Sequence, residues 1–236
     1  MNTWRGAWHI FKYDMKRDRY GFIFNILFYT YLVVVMMPLA NLGKDSPNIY
    51  WLKDALYFSV LPNMGYIFSK NIFRYWSDDT FSRKLLLYRT LPITAKQFVA
   101  ARFFNLMVTM LLGWLYFFGL QYMLTSIFFD APNLAAYAGQ ALFWLGYATI
   151  MGVTYVYWEL CHSGKVFVIA TLPYFLFYGL LVYLCYASGF SAILLIYDKV
   201  LAGGWWIPVT AILIAAAVVL AGWKMITIRV KARVMN

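Results

Sequence analysis

Long apolar blocks separated by short polar breaks set the plan of this 236-residue chain. From Tyr20 to Gly43 there is no Lys, Arg, Asp or Glu. A helix needs roughly 20 apolar residues to cross the hydrocarbon of a bilayer, so this block predicts a first span. Asn41-Leu42-Gly43 and Ser46-Pro47-Asn48 predict a turn. A second span follows over 49–72, with Lys53 and Asp54 near one end and Pro62-Asn63 midway. Pro62 removes a backbone hydrogen bond and predicts a kink. Asn63 needs a polar partner, which predicts a side chain turned toward other helices rather than lipid. Further spans are predicted over 103–129, 134–158, 166–187 (bent at Pro173) and 205–223. Residues 189–200 are too apolar for a free loop and too short for a span. They predict a re-entrant or surface-lying helix, broken by Gly203-Gly204.

Two segments depart from this plan. Residues 3–19 place Trp4, Trp8, Phe11 and Met15 at helical spacing, with Arg5, Lys12, Lys16 and Arg19 on the other side. That pattern predicts an interfacial helix, indoles at headgroup depth and cations toward anionic lipid. The second segment, Lys70 to Arg102, is the longest polar interruption. Phe81, Leu85, Leu86, Leu87 and Tyr88 nevertheless give it an apolar side, so it predicts a short amphipathic helix on the membrane surface. Leu91-Pro92 forces extended backbone. Thr94-Ala-Lys-Gln97 is a capping box, with Ile93 and Phe98 placed for a hydrophobic staple. One helix is therefore expected to end near Arg89 and another to begin near Ala95.

Composition agrees with an all-α membrane protein of one transmembrane domain: 64% of residues are hydrophobic and 12% charged. The net charge of +11 would suggest nucleic acid in a soluble protein. Here the cations sit in clusters between apolar blocks, which points to lipid headgroups and topology and away from nucleic acid. Seventeen of the twenty Lys and Arg fall on one side of the six-span plan, against Lys44, Lys53 and Lys199 on the other. Positive loops stay inside, so both termini are expected in the cytoplasm of a multi-pass cell-membrane protein. Cys161 and Cys185 fall near opposite membrane faces, roughly 30 Å apart, beyond disulfide reach. No small-residue cleavage site of a signal peptide follows a short apolar core near the start.

The chemistry of an enzyme is missing from the pattern. His9 and His162 both sit at the cytoplasmic edge, and no span offers a Ser–His pair. Cys161-His162 is one adjacent pair without a second, which predicts no metal site. No Gly-rich loop followed by Lys and Ser or Thr is present, so nucleotide hydrolysis would need another chain. Glu159, the one glutamate, is expected at the surface, loosely paired with Lys165. No ionised residue lies mid-span, which argues against an ion-coupled carrier. Neutral polar groups do: Asn63, Asn105, Gln121 and Thr149 are candidates for a path taken by an amphipathic or lipid-like substrate. The same residues, and the abundant Tyr and Phe, also suit plain helix packing, and the pattern leaves both readings open.

Six spans, inner termini, the interfacial helix, and Leu91-Pro92-Ile93-Thr94 followed by Lys96, Gln97 and Arg102 resemble type-2 permeases of ATP-binding-cassette transporters. The resemblance implies that 74–94 is a cytoplasmic coupling segment that docks on an ATPase subunit. It places the contact on Phe81, Arg83, Lys84, Leu85, Leu86 and Arg89. It implies two ATPase copies carrying ATP and Mg, a second permease chain (the same or different), and no cofactor in this chain. The function implied is a permease subunit, not itself an enzyme, of a bacterial exporter of an amphipathic, peptide or lipid-like compound. A structural or sensory membrane subunit that binds a partner through the same segment is the alternative. An intramembrane enzyme is a further one, disfavoured by the missing catalytic pairs.

Overall fold

The computed structural model describes residues 3–45, 50–66 and 93–235, with side chains described over 3–37, 50–66 and 93–233. Eight α-helices occupy these residues: α1 (Thr3–Arg17), α2 (Arg19–Asp45), α3 (Tyr50–Val60), α4 (Ala95–Phe128), α5 (Leu134–Cys161), α6 (Gly164–Ala187), α7 (Ala192–Leu201) and α8 (Trp206–Met235). Four are long and apolar enough to cross a membrane, over Arg19–Met37, Ala95–Phe128, Gly164–Ala187 and Trp206–Arg233. These four mark a membrane protein.

Of the other two expected spans, the one over 49–72 is described only as far as Tyr66, and the one over 134–158 falls on α5. α3 is eleven residues long, about 16 Å, roughly half the hydrocarbon thickness. It does not kink at Pro62 and continue. It tightens into a 3-10 turn, Leu61–Gly65, with Pro62 at its start, and Tyr66 is extended. Proline suits the first turn of a helix because the missing N–H would be unpaired there anyway. α5 has the length of a span, but it is rich in Gly, Ala, Tyr and Thr. Half of its residues are buried, because it runs through the middle of the bundle and packs along α8, α7 and the 3-10 turn. A central helix meets protein on every side and has no need of the oily surface that lipid demands.

Small residues let these helices approach. A Cβ on Gly146 of α5 would lie 2.9 Å from the backbone carbonyl of Ala211 in α8. The core beside this seam is aromatic. Trp144 is fully buried, with Tyr57, Phe58, Phe143 and Tyr147 packed edge-on around it at 5.1–5.6 Å.

The helix ends follow their sequences where the signal is local. α4 starts at Ala95 behind a complete capping box: Gln97 N–H donates to Thr94 Oγ1 at 3.3 Å, and Thr94 N–H donates to the Gln97 side chain at 2.9 Å. Ile93 and Phe98 both join the core. α7 falls where the re-entrant or surface-lying helix was expected, and Gly203, at φ +90°, follows its end. α6 runs unbroken through Pro173. Cys161 and Cys185 are free thiols. α8 extends far past residue 223 through the basic tail, and Arg233 donates to the carbonyls of Leu160 and His162 at 3.1 and 2.9 Å. The tail thus caps the end of α5, where a cation meets the negative pole of the helix.

α1 is the expected helix, but its aromatic side does not face lipid alone. Trp4 packs on Phe104 and Trp223, and Trp8 stacks on Phe11 and meets Phe104. Gly6 lies against Gln97, so close that a Cβ there would come within 2.5 Å of the amide nitrogen. α1 is therefore a strut on the start of α4, with its cations left outward.

Candidate functional site

Two features stand out, one at the foot of α4 and one beside α6. The first begins with Arg102, about two turns into α4. Its guanidinium meets Glu159 of α5 side-on, with Nη2–Oε2 at 2.7 Å and Nε at 3.0 and 2.8 Å from the two carboxylate oxygens. The side chains are 12% and 13% exposed. This corrects the expectation of a surface Glu159 paired with Lys165. Arg102 presents a flat fork that matches a carboxylate, and the two helices hold it within reach. The same guanidinium lies over the ring of Tyr66 at 4.8 Å. Asn25 of α2 donates to the Tyr66 carbonyl at 2.7 Å, and the Thr109 hydroxyl of α4 lies 3.0 Å from the Gly65 carbonyl, its one proton shared with the Asn105 carbonyl at 2.7 Å.

The described chain stops at Tyr66, fastened to α2 and α4, and resumes at Ile93, just ahead of the capping box that starts α4. Both ends of the intervening stretch are anchored at one end of α4. The expected coupling residues Phe81, Arg83, Lys84, Leu85, Leu86 and Arg89 lie outside the described residues. Nearby, His162 follows the end of α5. Its imidazole is pushed below the usual histidine range, first by burial and then by Arg233 and Arg229, so it adds no charge near neutral pH.

The second feature is a cavity of about 330 Å³ between the α3 end of the bundle and α6. Ser59, Asn63 and Tyr66 form one wall, Tyr155 of α5 the back, and Thr171, Tyr174, Phe175 and Tyr178 of α6 the other wall. No ionised side chain is among its described lining. Most hydroxyls are already engaged: Tyr155 and Tyr178 share a hydrogen bond of 2.7 Å, Tyr174 donates to Thr154 at 2.8 Å, and Thr171 donates to the Val168 carbonyl at 2.6 Å. Asn63 donates to the Ser59 carbonyl at 2.8 Å, and its own side-chain carbonyl takes no hydrogen bond among the described residues. Such a chamber can hold an uncharged aromatic or acyl body on tyrosine faces and offer one acceptor to a donor group.

The four residues read as a substrate path do not share one place. Asn63 opens on the cavity, and is exposed there instead of turned into a helix contact. Thr149 is buried and donates to the Met110 sulfur at 3.3 Å. Gln121 accepts from Tyr57 at 2.8 Å and Tyr137 at 3.2 Å, near the far end of α4. Asn105 lies sixteen residues before it, about 24 Å along the helix. The tyrosines that build the cavity were not singled out in the sequence. Thr171, Tyr174 and Tyr178 recur at i, i+3 and i+7, a hydroxyl stripe on one face of a predicted span, and that spacing was a readable signal. In comparisons with known proteins, no family model, no curated protein and no solved structure matches this chain.

Proposed function

We propose that this chain is the membrane-spanning permease subunit of an ATP-driven exporter, worked by separate ATPase subunits that act on the segment between Tyr66 and Ile93. The observation that carries the reading is the double anchorage of that segment. Its entry is tied to α2 and α4 through Asn25, Thr109 and Arg102, and its exit is the capped start of α4. A push on such a segment passes into α4, and through Arg102–Glu159 into α5, with little loss in slack side chains. The cavity supports the substrate class. It is neutral, aromatic and hydroxyl-lined, which suits an amphipathic or lipid-like compound better than an ion. Two permease chains and two ATPases complete the proposed assembly, with ATP and Mg bound by the ATPases.

An ATPase with a phosphate-binding loop should be encoded in a reading frame next to this one, and the absence of such a frame would count against the reading. The test is co-expression with that ATPase, followed by co-purification and uptake of a fluorescent amphiphile into inside-out vesicles. The expected result is association and ATP-dependent uptake. Leu85→Asp should weaken association at least tenfold while membrane insertion stays normal. Association without ATP-dependent uptake would favour a partner-binding subunit that moves nothing. Unchanged association of Leu85→Asp would overturn the assignment of the segment.

A further inference from the structure

A second cavity, of about 350 Å³, lies at the opposite end of the bundle from the Arg102–Glu159 pair. The end is fixed by contacts: Tyr57 of α3 bonds Gln121, about 36 Å up α4 from Gln97 at 1.5 Å per residue. Tyr50 and Trp51 at the start of α3 form one side of this cavity. Tyr186, Phe190, Ser191 and Asp198, from the end of α6 through α7, form the other.

The walls are held in place by a carboxylate. Asp54 is 1% exposed and accepts three hydrogen bonds at the start of α7: Ser191 Oγ at 2.9 Å, Ala192 N–H at 3.0 Å and Ile193 N–H at 3.2 Å. No side chain of α7's own neighbourhood caps that end. Asp54 does so from α3, and thereby fixes Tyr50 and Trp51 against α7.

The cavity differs in kind from the one beside Asn63. Aromatic rings crowd it without burying one another, for Trp51, Tyr186 and Phe190 are all exposed. It also contains an ionised group. Asp198 is exposed, makes no ion pair among the described residues, and stands in the last turns of α7, whose carbonyl pole adds to its negative field. Lys53 already lies over the Tyr50 ring at 5.3 Å, so one face of this aromatic group is used by a cation.

Aromatic faces around a carboxylate are the chemistry that binds an organic ammonium, because the ring quadrupole and the carboxylate attract the same charge and the rings cover its methyl groups. We propose that this cavity is a binding site for a small organic ammonium ion, with Trp51 and Tyr186 contacting its methyl groups and Asp198 its charge. The site does not depend on the transport reading, since it needs neither ATP nor a partner.

The test uses the purified full chain in lipid nanodiscs, titrated calorimetrically with benzyltrimethylammonium and with neopentylbenzene, its uncharged carbon analogue. Saturable binding of the cation alone is expected. Asp198→Asn should weaken it about tenfold and Trp51→Leu about fivefold. Both side chains are exposed, and a monodisperse elution profile checks that the variants fold. Equal binding of the two probes, no saturable binding, or an unchanged affinity in Asp198→Asn would overturn the proposal.

Discussion

The Arg102–Glu159 pair gives the sharpest test of how the bundle is held. Both groups are largely removed from solvent, so each has lost most of its hydration. At a separation near 3 Å and an effective dielectric of about 20, the attraction is about 5 kcal/mol, but desolvation offsets most of it. The pair as a whole therefore adds little net stability. Removing one partner is different, because it strands the other charge: the expected loss is about 3 kcal/mol. In a chain of this size that lowers the midpoint of thermal unfolding by about 6–12 °C. Glu159→Gln and Arg102→Met should each show this loss in detergent, followed by circular dichroism. The double variant Arg102→Met with Glu159→Leu should recover at least half of it, since no charge is left behind. Single variants within about 1 kcal/mol of the parent, or a double variant as weak as the sum of the singles, would refute the account.

Two further predictions follow from packing and capping. Gly146→Ala should destabilise by about 1–3 kcal/mol, because its Cβ meets the Ala211 backbone, which has no rotamer to yield. Gly179→Ala is the control: nothing lies within 4 Å of its Cβ, so the thermal midpoint should hold or rise. Asp54→Ala should cost about 2 kcal/mol and make the amides of Ala192 and Ile193 exchange faster in a hydrogen-exchange measurement. Unchanged exchange at those two amides would show that α7 holds its own start.

How far the sequence could be read depended on separation along the chain. Thr94 and Gln97 are three residues apart, and their capping box appears as the pattern predicts. The end of α7 at Gly203 is equally local. Apolar block length located the four long helices, because crossing a membrane is a demand on composition. Partners far along the chain were not readable. Glu159 was assigned to Lys165, six residues on, whereas the structure gives it Arg102, 57 residues away. Hydropathy says how oily a helix is and nothing about which helix it meets. The same limit explains the four scattered polar candidates. Asn, Gln and Thr mark positions that need partners, but Gln121 finds Tyr57 and Tyr137 while Asn63 finds a cavity. Pro62 misled for a related reason: proline interrupts a long helix or begins a short one, and only the neighbours of α3 decide which.

The bond between Asp54 and Ser191 has a consequence for the order of events during synthesis. The two residues are separated by 137 positions. At about 5–20 residues per second, the carboxylate emerges roughly 7–30 seconds before its donors do. Through that interval α3 carries an unsatisfied acid and has reason to linger near water. Its final seat becomes favourable only when the last fifth of the polypeptide arrives. A truncated product would keep that acid unmatched, and the membrane would hold a visibly unfinished molecule for proteolytic surveillance to find.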